Sequence, residues 1–86
     1  MKHARPAALA GLAGLIAQIR ERPGLVEKKL GVFYRKGQAF LHFHEDPDGM
    51  FVDLRDGADW LRLHLPDDAS WPNFLAALDR SLSGLK

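Results

Sequence analysis

Three turn signals at close spacing constrain this chain more than any other feature: Lys36-Gly37, Asp46-Pro47-Asp48-Gly49 and Asp56-Gly57-Ala58-Asp59. Gly tolerates positive φ, Pro presets φ for a turn, and Asp can bond its own backbone, so each run ends one strand and starts the next. With Lys36 and Gly37 as the first loop, Arg35 faces Gln38, Tyr34 faces Ala39, Val32 faces Leu41 and Leu30 faces Phe43. The second turn pairs Phe43 with Val52 and Leu41 with Leu54; the third pairs Leu54 with Leu61, Val52 with Leu63 and Met50 with Leu65. Away from the turn residues every pair is apolar. A slip of one residue would turn each side chain to the other face, so the three turns support one another. The expectation is a four-stranded antiparallel meander with Leu30, Val32, Tyr34, Ala39, Leu41, Phe43, Met50, Val52, Leu54, Leu61, Leu63 and Leu65 on one face.

Helical periodicity flanks the meander. Leu9, Leu12, Ile16 and Ile19 recur at helical spacing, Pro6 suits a first turn, and Pro23-Gly24 stops the run, which predicts a helix over Pro6–Arg22. Gly11 and Gly14 cost helix propensity and read as a close approach to the sheet. Ser70, Trp71 and Pro72 open a second helix along Trp71, Phe74, Leu75, Leu78, Leu82 and Leu85, with Gly84 as its stop. Eighty-six residues allow one core, and no repeat or long linker divides the chain. The fold class expected is a two-layer α+β domain over residues 1–86, in the order αββββα, with both helices on one sheet face.

Lys2, His3 and Arg5 before the apolar run Ala7–Ala17 have the layout of a secretory signal, but Leu15 stands where a small residue is wanted before a cut after Ala17. The helical stripe also runs on into Arg20-Glu21-Arg22, so we read an amphipathic helix, a frayed start at Lys2 and His3, and a cytoplasmic protein. The apolar stretch falls short of the ~18 residues of a membrane span, and no membrane partner is expected. The absence of Cys excludes disulfides, Cys-ligated metals and thiol catalysis. Twelve Lys and Arg against eleven Asp and Glu give a net charge of +1, so any electrostatic function must be local.

The register also dictates the opposite face. Its rows read Gly31, His42, Asp53, Arg62; then Phe33, Phe40, Arg55, Trp60; then Lys29, His44, Phe51, His64. A solvated face is mostly small and charged, whereas this one carries four large aromatics and three of the four histidines. We expect a small binding or interaction module acting through Phe33, Phe40, His42, His44, Phe51, Asp53, Arg55, Trp60, Arg62 and His64. One reading is a homodimer with sheets stacked around Phe33, Phe40, Phe51 and Trp60, and Asp53 as a satisfied polar island between His42 and Arg62. Another is single-stranded nucleic acid, with bases on the aromatics and phosphates on Lys29, Arg35, Arg55 and Arg62. A third is a metal or acid/base site at His42, His44 and Asp53, a two-histidine, one-carboxylate set in which Arg62 competes with the cation. No nucleophile accompanies a His42–Asp53 pair, because Ser70, Ser81 and Ser83 fall at the second helix. No catalytic residue or cofactor is therefore assigned.

The segment Phe40–Asp46, FLHFHED, is followed by Asp53-Leu54 and preceded by a helix, a Pro-Gly turn and the strand Gly31-Val32-Phe33-Tyr34. In that order the chain resembles a small group called the luciferase domain family, over residues 15–82. Leu63-His64-Leu65-Pro66 is similar to that family's downstream histidine segment, at a shorter spacing. The label implies a light-emitting oxygenation, for which the sequence forms no evident luciferin pocket. What the resemblance implies is attention to His42, His44, Asp53 and His64.

Overall fold

The computed structural model describes residues 2–83. It is an α+β structure in which helices cover one face of an antiparallel sheet. The elements run β1 (Lys2–His3), α1 (Pro6–Leu9), α2 (Ala13–Arg20), β2 (Val26–Lys29), β3 (Val32–Arg35), β4 (Gln38–Asp46), β5 (Gly49–Asp56), β6 (Asp59–His64) and α3 (Trp71–Ser83). Neighbouring strands follow chain order from β2 to β6, and β1 pairs with the far half of β4, beyond the end of β3. Two strands thus join the four expected. Lys2 and His3 were expected to fray, but their backbone pairs with Glu45 and His44.

The β4–β5–β6 ladder has the expected register without a shift, with Phe43 against Val52, Leu41 against Leu54, Leu54 against Leu61 and Val52 against Leu63. On β3 the expectation fails. Arg35 faces Gln38 and Tyr34 faces Ala39, but Phe33 then faces Leu41 and Val32 faces His42. Phe40 is the extra residue, a β-bulge that sets Phe40 and Leu41 in succession into the core, at 5% and 0% exposure. The parity of β3 is therefore reversed: Phe33 is buried at 1% exposure, and Val32 shares the open face with His42. Leu30, placed in the core by the unshifted register, is 49% exposed in the turn between β2 and β3. Gly31 completes that turn at φ 76°, where a Cβ would lie 3.1 Å from Leu9 and 3.3 Å from Phe43. A side chain there would strain the backbone and push on Leu9 and Phe43, so glycine suits the position.

Leu9, Leu12, Leu15, Ile16 and Ile19 pack on the sheet beside Phe74, Ala77 and Leu78 of α3. The first helix is not continuous: Ala10–Leu12 tightens into a 3-10 turn at Gly11, a poor helix former. Gly14 approaches the other helix rather than the sheet, since a Cβ there would lie 3.4 Å from the Trp71 ring. A 3-10 turn, Asp68–Ser70, leads into α3, and the Asp67 carboxylate, not Ser70, caps it by accepting from the Ala69 N–H at 3.1 Å. The expected stop at Gly84 and the helical position Leu85 lie outside the described residues. Among the described residues no helix is long and apolar enough to cross a membrane.

The bulge makes a distinctive prediction. Phe33→Ala should cost about 3–5 kcal/mol in urea unfolding, whereas a Phe33 on the open face would be replaced at little cost.

Candidate functional site on the open sheet face

Among the described residues no helix covers the face of the sheet that carries Val32, His42, Asp53 and Arg62 in one row. His44, Phe51 and His64 form the next row, and Arg55 and Trp60 the third. Eight of the ten residues expected on this face are there. Phe33 and Phe40 are not: both are buried in the core, which removes two of its four large aromatics. Val32 replaces Gly31 beside His42, and the backbone neighbour of His44 is His3 of β1 rather than Lys29. The first departure follows from the bulge, which only the adjacent apolar pair Phe40-Leu41 hints at in the sequence, and the second from the turn at Leu30-Gly31, which ends β3 at Val32 and puts Lys29 on β2.

Asp53 is the centre of the site. It is 5% exposed although it stands on the uncovered face. Arg62 forks onto it, Nε to Oδ1 at 2.7 Å and Nη2 to Oδ2 at 2.7 Å. His44 Nε2 lies 3.0 Å from the same Oδ2, and His42 Nδ1 lies 2.7 Å from His44 Nε2. The two imidazoles meet edge to face with centroids 4.6 Å apart, and Trp60 packs on His42 at 4.9 Å. At the borders, Phe51 stacks on His64 at 4.6 Å and the Arg55 guanidinium lies 4.4 Å over Trp60.

The Arg62 hydrogen bonds hold the Asp53 carboxyl below the ordinary aspartate range, against the opposing effect of burial and with help from the charges of His44, Arg62 and His42. Arg62 is in turn raised, first by its hydrogen bond to Asp53. Asp53 is therefore a carboxylate near neutral pH, too weakly basic to serve as the proton acceptor of an acid/base pair. Its charge can orient an imidazole or hold a cation.

The donor set is suited to a cation. One ring nitrogen each from His42 and His44 and one Asp53 oxygen all lie within 4.8 Å of one another. His44 Nε2 has at most one proton to donate, yet both His42 Nδ1 and Asp53 Oδ2 stand within hydrogen-bond reach of it. Two ligand atoms at right angles, each ~2.1 Å from one ion, are about 3.0 Å apart, so the His44–Asp53 separation is that of neighbouring ligands.

No family model, no curated protein and no solved structure matches the chain.

Because Asp53 titrates lower in the folded chain than an ordinary carboxyl, it contributes stability that is complete above the ordinary aspartate value of about 4 and is lost as pH falls through the folded value. Urea midpoints should fall on acidification below about pH 4, and Arg62→Gln should flatten that fall. An unchanged acid limb in Arg62→Gln would show that the fork does not couple to folding.

Proposed function

We propose that the protein is a small binding module that works through its open sheet face and holds one divalent transition-metal ion there between His42, His44 and Asp53. The convergence of His42 Nδ1, His44 Nε2 and Asp53 Oδ2 carries this reading. Two imidazoles and a carboxylate suit zinc or ferrous ion, and the remaining positions would stay open to a ligand. Arg62, 51% exposed at its side chain, both orients the carboxylate and competes with the ion for it. The resemblance to the luciferase domain family rests on the same histidines and adds no reaction to the proposal.

Trp60 favours a second reading, in which the face also pairs two copies of the chain. It is 41% exposed and stands with Phe51 and His64 on the layer that no helix covers. The loss of Phe33 and Phe40 to the core shrinks that patch, and it shrinks the stacking surface for a single strand of nucleic acid equally. The two rings that remain are already partnered, Trp60 by Arg55 and Phe51 by His64.

Calorimetric titration of chelator-treated protein with Zn²⁺ or Co²⁺ should show one equivalent bound. His42→Ala and His44→Ala should each weaken it at least about tenfold with unchanged circular dichroism, and Arg62→Met should tighten it. Absence of stoichiometric uptake, or uptake indifferent to His44→Ala, defeats the metal reading. Light scattering across a concentration series tests the second: a dimer should become a monomer in Trp60→Glu.

A further inference from the structure

Four of the seven arginines are forked onto carboxylates: Arg5 on Glu45, Arg20 on Glu27, Arg22 on Asp79 and Arg62 on Asp53. The other three, Arg35, Arg55 and Arg80, have no such partner among the described residues. All three line one cavity of about 420 Å³, and Lys36 joins them. It lies where the β3–β4 and β5–β6 hairpin ends meet the last turns of α3, and the single acidic residue in its lining is Asp56. We propose that this cavity binds a small phosphorylated molecule, distinct from the metal site on the open face.

The cations differ in how much of their charge is already committed. Arg35 donates to the Ser81 and Leu82 carbonyls at 3.3 and 2.9 Å, so it neutralises the C-terminal end of α3 and lies 5.6 Å over the Phe40 ring. That removes the helix end as a source of repulsion for an anion. Arg55 is fixed through Nε to the Ala39 carbonyl at 2.7 Å and by its stack on Trp60, which leaves its two Nη groups to donate. Lys36 and Arg80 have no carboxylate within ion-pair distance among the described residues. Forked guanidiniums and an ammonium are what a phosphate recognises. Phe40, Leu61 and Ala77 add an apolar wall for the rest of the molecule, and the volume falls in the range of small-ligand sites.

The backbone supplies a separate observation. Lys36 sits at φ 53°, the one non-glycine residue with positive φ among those described, followed by Gly37 at φ 78°. A two-residue hairpin loop of this kind takes Asn, Asp or Gly at its first position with less strain. Lysine keeps a long cation at the cavity mouth at a conformational cost, a pattern of strain found at ligand sites.

The test is a pyrophosphate titration of the isotopically labelled full chain by NMR, at fixed ionic strength, repeated in His44→Ala to separate this cavity from the proposed metal site. Saturable shifts should cluster at residues 35–38, 55–57 and 77–81 and persist in His44→Ala. Lys36→Gly should weaken binding at least about fivefold while its melting temperature stays level or rises, because the turn strain is relieved. Arg80→Gln should weaken it similarly, and Arg20→Gln, at an arginine already spent on Glu27, should leave it unchanged. The proposal fails if shifts are absent or spread over all arginines, or if Lys36→Gly binds as the parent does. It fails too if a single-stranded oligonucleotide binds far more tightly, with shifts extending across Trp60.

Discussion

The bulge at Phe40 is the constraint on which the rest of the arrangement depends. One extra residue on the central strand sends Phe40 and Leu41 into the core in succession and reverses the parity of β3. Phe33 becomes a core side chain, and Arg35 turns to the helix side, where it reaches the end of α3. Past the bulge nothing shifts, so His42 and His44 keep the open face opposite Asp53 and Phe51. A regular β4 would have left Phe33 and Phe40 outside and the small core short of two of its largest residues. Bulges commonly redirect side chains in this way next to sites.

This explains which parts of the molecule were legible in the sequence. On β4, β5 and β6 the aliphatic residues Leu41, Met50, Val52, Leu54, Leu61 and Leu63 keep to one face, the turns are two-residue loops, and the rows His42–Asp53–Arg62 and His44–Phe51–His64 follow directly. In Leu30–Arg35 both parities carry apolar side chains, Leu30, Val32 and Tyr34 against Phe33, so the pattern cannot choose a face. Packing chooses it: the bulge places Phe33 against Leu41. β2 was missed because Val26-Glu27-Lys28-Lys29 is too polar to read as a strand, and its pairing skips Lys28. β1 is two residues long and has no signature at all.

Charge pairing divides the surface into spent and unspent cations. The Arg20–Glu27 and Arg22–Asp79 forks tie the end of α2 to β2 and to α3, and Arg5–Glu45 ties the chain before α1 to β4. Exposed pairs of this kind contribute little stability each, so their main effect is to fix positions. Asp53 differs because it is buried, and removing its partners would leave a charge without compensation. That asymmetry keeps Arg62 in place whenever no other cation sits on the carboxylate.

Arg55 is where the two proposed sites meet mechanically. Its guanidinium lies over Trp60, Trp60 packs on His42, and its Nε is held by the Ala39 carbonyl beside the bulge. Two contacts, one of them backed by the packing of Trp60 on His42, thus order a side chain that would otherwise give up considerable rotamer freedom on binding an anion. The ring that restrains it belongs to the open face, while the donors it leaves unspent belong to the cavity. A guanidinium held in this way presents its charge before any ligand arrives, and the same stack holds the indole beside His42. The bulge that took the phenylalanines from the open face is therefore also what positions Arg35, through β3, and Arg55, through the Ala39 carbonyl, at one cavity.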